Sequence, residues 1–276
     1  MAEYESRKRG RPRSFHSKTE ATIIQSVDKA ITLLKVVSEG SGRSLSELSE
    51  LSGQPAASAY RALVTLQKHG MVSFDEDAQL WQVDVESFRI GSAFLANTNM
   101  VEQARAIMTS LMTETGETTN LGIIAGDEVV FLSQVETHEP IRAFFRPGTH
   151  GSIHASGIGK VLFAFRPENQ AAQLAKSINL VKFTDNSIMT TDELLQMRLE
   201  TLRRGFSVDD QERTMGMRCI AAPIFNSFGE AVSAISISGP TVRVDSGRIA
   251  EYGEKVKVAA DAITRNIGGK ISAFDA

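Results

Sequence analysis

The chain has 276 residues, 42% of them hydrophobic and 23% charged, with a formal net charge of −3. That length and balance suit two ordinary globular domains and give no bulk positive field to draw in nucleic acid. A lone cysteine, Cys219, excludes an intramolecular disulfide, and no apolar run approaches the roughly 18 residues of a membrane span, so a cytoplasmic protein away from membranes is expected.

Residues 1–22 read as a disordered basic arm. Arg7-Lys8-Arg9-Gly10-Arg11-Pro12-Arg13 places five basic side chains in seven residues, with no acid and no apolar period. Arg9 and Arg11 have the setting of arms that lie along a narrow A·T-rich minor groove; a merely solubilising tail is the alternative. Through residue 95 twelve basic side chains meet twelve acidic ones, so any attraction to phosphate must come from local placement.

Residues 23–84 read as a winged helix-turn-helix. An amphipathic helix offers Val27, Ala30, Ile31, Leu34 and Val37 to a small core. Ser44 and Glu47 form a capping box ahead of Leu45, Leu48 and Leu51; Gly53 stops that helix and Pro55 suits the first position of the next. In the second helix Ala59, Leu63 and Leu66 point inward, while Ser58, Arg61, Thr65 and Lys68 share the opposite face. Hydroxyls and a basic side chain on an exposed face are what a major-groove reader needs. Candidate contacts to double-stranded operator DNA are Gln54, Ala57, Ser58, Tyr60, Arg61 and Thr65, with Arg9 and Arg11 from the arm. An ordinary helical hairpin is the plainer reading. Met71–Phe74 and Leu80–Val83 supply the wing, whose tip, Asp75-Glu76-Asp77, is acidic and unsuited to clamping phosphate.

Residues 85–98 read as a linker helix and 99–270 as an α+β domain. Met100–Met112 is helical, Leu121–Ala125 and Glu128–Val135 form a hairpin around Gly126-Asp127, and Ile141–Phe145 is a further short strand. Ser156–Phe165 is helical. A capping box at Thr190 and Glu193 starts a helix that buries Leu195, Leu199 and Leu202 and ends at Gly205. A second hairpin pairs Cys219–Phe225 with Glu230–Ser238, and a last helix carries Ile249, Val256, Ala260, Ile263 and Ile267. Antiparallel strands with segregated helices imply a sensor-like α+β domain and not a doubly wound sheet.

Four segments in this half are specific: His154–Lys160, Gly205–Glu212, Gly216–Phe225 and Ala234–Pro240. In order and spacing the chain resembles the IclR family of bacterial transcriptional regulators from about Gln25 to Ile267. The resemblance implies an N-terminal winged helix-turn-helix, a linker helix, and a C-terminal GAF/PAS-like effector-binding domain with an antiparallel sheet. It also implies a homo-oligomer, dimer or dimer of dimers, on partly palindromic operators. Many relatives have Lys-Ser-Thr where this chain has Ala56-Ala57-Ser58, which removes a charge and a hydroxyl from the reading helix.

The second hairpin supplies geometry of its own. A four-residue loop at Asn226–Gly229 sets Phe225 against Glu230 and Cys219 against Ser236, with Ser236 and Ser238 on one face. Gly157-Ile158 opens a helix whose free N–H groups suit a carboxylate. By resemblance to members that bind glyoxylate or pyruvate, the effector contacts are Gly157, Ile158, Asp209, Met217, Cys219, Ser236 and Ser238. Ile158 stands where a smaller residue is common, which favours a two- or three-carbon acid. Asp209, if ionised, repels an anion unless it is protonated, water-bridged or paired with a cation. The expected effector is a small 2-oxo acid, glyoxylate first, with pyruvate or an aromatic or sugar acid as alternatives.

The rival class is a cysteine-dependent hydrolase built on Cys219. None of the five histidines has a spacing that nominates it as the base. Gly157-Ile158-Gly159-Lys160 fails as a phosphate loop, because Val161 stands where a hydroxyl should hold magnesium. No catalytic residue, metal or cofactor is assigned.

Overall fold

The computed structural model describes residues 23–98 and 100–271, so the basic arm with Arg9 and Arg11 lies outside the described residues. The chain divides into two compact units between Phe94 and Leu95.

In the first unit α1 (Gln25–Ser38), α2 (Leu45–Ser52) and α3 (Ala56–Lys68) precede a ribbon of β1 (Val72–Asp75) and β2 (Leu80–Val83). The capping box forms: Ser44 N donates to Glu47 Oε2 at 2.8 Å and Glu47 N to Ser44 Oγ at 3.4 Å. Pro55 sits at the N-cap of α3, one residue earlier than expected. Arg43 exchanges both backbone hydrogen bonds with Trp81, adding a one-residue third strand to the wing. Leu33, Val37, Leu48, Ala59, Leu63, Leu66, Val72 and Trp81 close the core.

The α1 stripe differs from expectation. Val27 and Ile31 are half exposed while Leu33 is fully buried. At about 100° per residue the Val27–Ile31 line lies roughly 120° round the helix from the Leu33–Val37 line. A core this small covers only one of them. Leu51 of α2 is exposed for the same reason.

Helix α4 (Val85–Thr98) spans the division, and α5 (Met100–Thr115) opens the second unit. Its sheet contains β3 (Thr118–Ala125), β4 (Glu128–Val135), β5 (His150–Ser152), β6 (Ser207–Asp210), β7 (Met217–Phe225) and β8 (Ala231–Pro240). All pairings are antiparallel, in the order β5-β4-β3-β8-β7-β6. One face packs on α5 and α9 (Ile249–Asn266) through Leu121, Ile220, Ile235, Ile237, Val256 and Ile263. On the other, α6 (Gly157–Ala164) crosses β3, β8, β7 and β6, backed by α7 (Glu168–Ser177) and α8 (Thr191–Arg204).

Two expectations fail here. Ile141–Phe145 is irregular, and the edge place beside β4 goes to His150–Ser152. The Gly148 turn steers this exchange, with Gly148 N donating to Phe131 O at 2.7 Å. In α8 Leu194 is fully buried and Leu199 is 57% exposed, because the side packed on α6 and α7 runs along Leu194, Thr201 and, in part, Leu195 and Leu202.

Every residue of α6 is buried. Two glycines make that possible: a Cβ on Gly157 would stand 2.8 Å from Cys219 Sγ, and one on Gly159 2.5 Å from Ile153 O. Gly159→Ala is therefore expected to lower stability by about 3 kcal/mol in chemical denaturation, since backbone must yield. Gly91→Ala, in an exposed turn of α4 with nothing within 4 Å of the added methyl, should instead raise it by about 0.5 kcal/mol.

Candidate DNA-reading face and effector site

On α3 the side chains of Ala57, Tyr60, Arg61 and Thr65 are exposed and Ser58 is half-buried. Tyr60 meets Trp81 edge-on at 6.5 Å, fixing its ring at the base of the wing. The Thr65 hydroxyl donates to Arg61 O at 2.8 Å, back along the helix. Gln54 does not join them. It is 7% exposed, and its Nε2 donates to Lys29 O at 3.0 Å, tying the turn before α3 to α1. Its amide is used inside the unit, so it drops out as a base reader. At the wing tip Asp75 Oδ1 accepts from the Asp77 and Ala78 amides, which makes this acid part of the turn.

In the second unit the sheet face under α6 carries two lateral rows. Asp209, Cys219, Ser238 and Thr118 are successive partners across β6, β7, β8 and β3. The next row is Ser207, Ala221, Ser236, Asn120 and Gln134. Cys219 thus faces Ser238 and not Ser236. The loop contributes one residue of the offset, pairing Phe225 with Ala231, and a bulge at Ile224/Phe225 contributes the other. A two-residue shift preserves side-chain direction, so both serines keep the face inferred from the hairpin.

Space lies over the first row. An outer cavity of about 280 Å³ opens between Arg142, Phe144 and Met217, and an inner recess of about 30 Å³ lies under Phe131, Gly157 and Ile158. Phe145, Asp209, Arg213, Cys219 and Ser238 border both. The recess holds on the order of one or two waters. Ile158, fully buried, limits it. Ser236 borders neither space; its buried hydroxyl has no partner beyond a position beside the thiol. The irregular 141–147 segment roofs the cavity, with Phe145 stacked on Phe131 at 4.4 Å.

Several residues absent from the sequence-based set border these spaces or hold the residues that do. Asn120 donates to Ser238 Oγ at 3.3 Å and accepts from Gln134 Nε2 at 2.7 Å, and Gln134 Oε1 in turn accepts from Phe145 N at 3.4 Å. A polar side chain in mid-strand is the signal that marks Asn120. Arg213 lies over the Phe183 ring at 4.9 Å and has no positional signature in the sequence. Beneath Asp209, Lys160 Nζ contacts Glu212 Oε1 at 2.5 Å and donates to Val208 O at 2.6 Å, both side chains being buried.

Burial holds Asp209 above the usual carboxylate range, against the opposing pull of Lys160 and of the Glu212 and Arg213 amides. Burial likewise pushes Glu212 up to about 7, with the Lys160 charge opposing it. The Cys219 thiol is raised to about 11 by burial and then by Asp209, although the Ser238 and Ser236 hydroxyls and the Gly157 amide favour a thiolate. An activated nucleophile needs the opposite shift. His154 is buried against Val181 O at 2.9 Å, and His150, at the recess, pairs with Glu128 at 2.8 Å. Among the described residues no group of three or more His, Cys, Asp or Glu side chains is arranged for a metal. No helix among them is long and apolar enough to cross a membrane.

The family model of the IclR helix-turn-helix domain matches residues 26–76, and that of the bacterial transcriptional regulator IclR C-terminal domain matches residues 92–265. The chain belongs to the IclR family. It is 42% identical over 257 residues to the HTH-type transcriptional regulator BhcR of Paracoccus denitrificans, covering 92% of each chain. It is 32% identical to the transcriptional repressor IclR of Escherichia coli, over 95% of this chain and 97% of that one. The crystal structure of the Thermotoga maritima IclR superimposes with a TM-score of 0.72 at 28% identity, covering 89% of this chain and all of that one. These families and relatives are transcriptional regulators, not enzymes, and give the hydrolase reading no support. The chain is a DNA-binding transcriptional regulator of the IclR type.

With one cysteine in the chain, thiol alkylation reports on Cys219 alone. A group of pKa about 11 holds about a thousandth of its population as thiolate at pH 8. The iodoacetamide rate is expected to climb steadily from pH 7 to pH 10. A plateau near pH 8 would contradict the assignment.

Proposed function

We propose that this IclR-family regulator is a cytoplasmic homo-oligomer, dimer or dimer of dimers, whose hold on operator DNA is tuned by a small 2-oxo acid, glyoxylate first. One observation carries the effector reading: the amide end of α6, the Cys219 thiol, the Ser238 hydroxyl and the Asp209 carboxyl converge on one small recess with apolar walls. Donors gathered around a small space suit adjacent oxygens on a two- or three-carbon skeleton. Ile158 and Phe131 exclude longer chains from the inner part, while Met217 borders the outer part. Asp209, held toward its protonated form, can donate to a ligand oxygen instead of repelling it.

On the DNA side, α3 enters the major groove with Ala57, Ser58, Tyr60, Arg61 and Thr65, and the basic arm follows the minor groove. Occupancy of the recess shifts the linker helices and so the spacing of paired reading heads. This coupling requires that the two arrangements differ in affinity for the acid.

Isothermal calorimetry with glyoxylate, pyruvate and longer acids tests the effector reading. Heat is expected for the short oxo acids, and Ser238→Ala should weaken them about fivefold while ligand-free operator binding stays unchanged. No heat with any short oxo acid would remove the reading. For the reading helix, Arg61→Ala is expected to relax selectivity at one operator position if the guanidinium meets a guanine. If it meets phosphate, the salt slope of binding should fall by about one instead. Footprinting across a salt series separates the two.

A further inference from the structure

A small oxo acid is an anion, and the recess places it beside Asp209 with Glu212 close behind. The buried cation Lys160 is committed to Glu212 and to Val208 O. Of the other cations at the two spaces, Arg142 pairs with Glu136 at 2.8 Å and Arg218 with Asp210 at 2.7 Å. Each is balanced by its own carboxylate. Arg213 differs: it borders both the outer cavity and the inner recess, and among the described residues it has no carboxylate within ion-pair distance.

The Arg213 loop is already fixed. Gln211 N donates to Met217 O at 3.0 Å and Met217 N to Thr214 O at 3.1 Å, closing the turn between β6 and β7. From outside, Thr184 Oγ1 donates to Gln211 O at 2.7 Å and Ser187 Oγ to Glu212 O at 2.7 Å. The guanidinium then rests on Phe183, whose ring faces His154 on a stack of 6.0 Å. A planar cation held on an aromatic face keeps its N–H edge free for a carboxylate fork and loses little freedom on binding.

Resting on the oxo-acid reading above, we propose that Arg213 is the specificity-determining anchor of the site. Its guanidinium receives the effector's carboxylate, while the oxo oxygen turns toward Ser238, Cys219 and the Gly157 amide. One cation without a carboxylate partner at the border of both spaces matches one ligand charge, so the site selects monocarboxylates over dicarboxylates and over neutral carbonyl compounds. A neutral analogue leaves the guanidinium unpaired, which is where discrimination arises.

The test is calorimetry on the full-length protein with pyruvate and glyoxylate, each beside its neutral amide, for the wild type, Arg213→Gln and Arg213→Lys. Thermal melts and ligand-free operator binding check each variant's fold. Arg213→Gln is expected to weaken the acids at least 30-fold, change the amides less than threefold and so erase the preference for charge. Arg213→Lys, which keeps the charge but not the fork, should weaken the acids about tenfold and leave the amides alone. If Arg213→Gln does not fold, the lysine variant decides by the same acid-against-amide comparison. Acid affinity within threefold of wild type, or equal losses for acid and amide, overturns the anchor while leaving the oxo-acid reading intact. A wild type that takes up neither acid overturns both.

Discussion

The second unit depends on the close seating of α6 against its sheet. A helix with every residue buried must come close to its neighbours on all sides, and two glycines provide the clearance, Gly157 against Cys219 and Ala221 of β7 and Gly159 against the Ile153 backbone that leads into the helix. The same seating carries Lys160 into the interior, where an unpaired ammonium would be costly, so Glu212 and Val208 O must meet it. Glu212 in turn donates its amide to Asp209 at 2.9 Å, which fixes the carboxyl at the recess. Packing, a buried ion pair and the cavity's electrostatics therefore follow from two missing methyl groups.

Much of this was readable from residue pattern. Capping boxes at Ser44/Glu47 and Thr190/Glu193 sit where the spacing put them, because cap chemistry is local. The serines of β8 share the thiol's face even though the pairing differs, since the loop and the bulge each move it by one residue. Periodicity was less reliable for choosing which apolar line of a helix is covered. Val27, Ile31, Leu51 and Leu199 obey the helical period yet stay largely exposed, because burial depends on where neighbouring elements stop.

The site residues that sequence reasoning missed share a physical cause. Arg213 gains its position from a turn held by Thr184 and Ser187, nearly thirty residues away in the chain. Asn120 acquires meaning only when β3 pairs with β8 and β4 on either side. Gln54 looked like a surface reader until α1 brought the Lys29 carbonyl within reach. Tertiary partners decide such roles. No local pattern encodes them.

The ends of the six-stranded sheet have a consequence for solubility. Its border strands, His150–Ser152 and Ser207–Asp210, span three and four residues, far shorter than the inner strands. Open rims this brief offer a foreign chain few unpaired amides in register, so sheet-to-sheet addition finds little template.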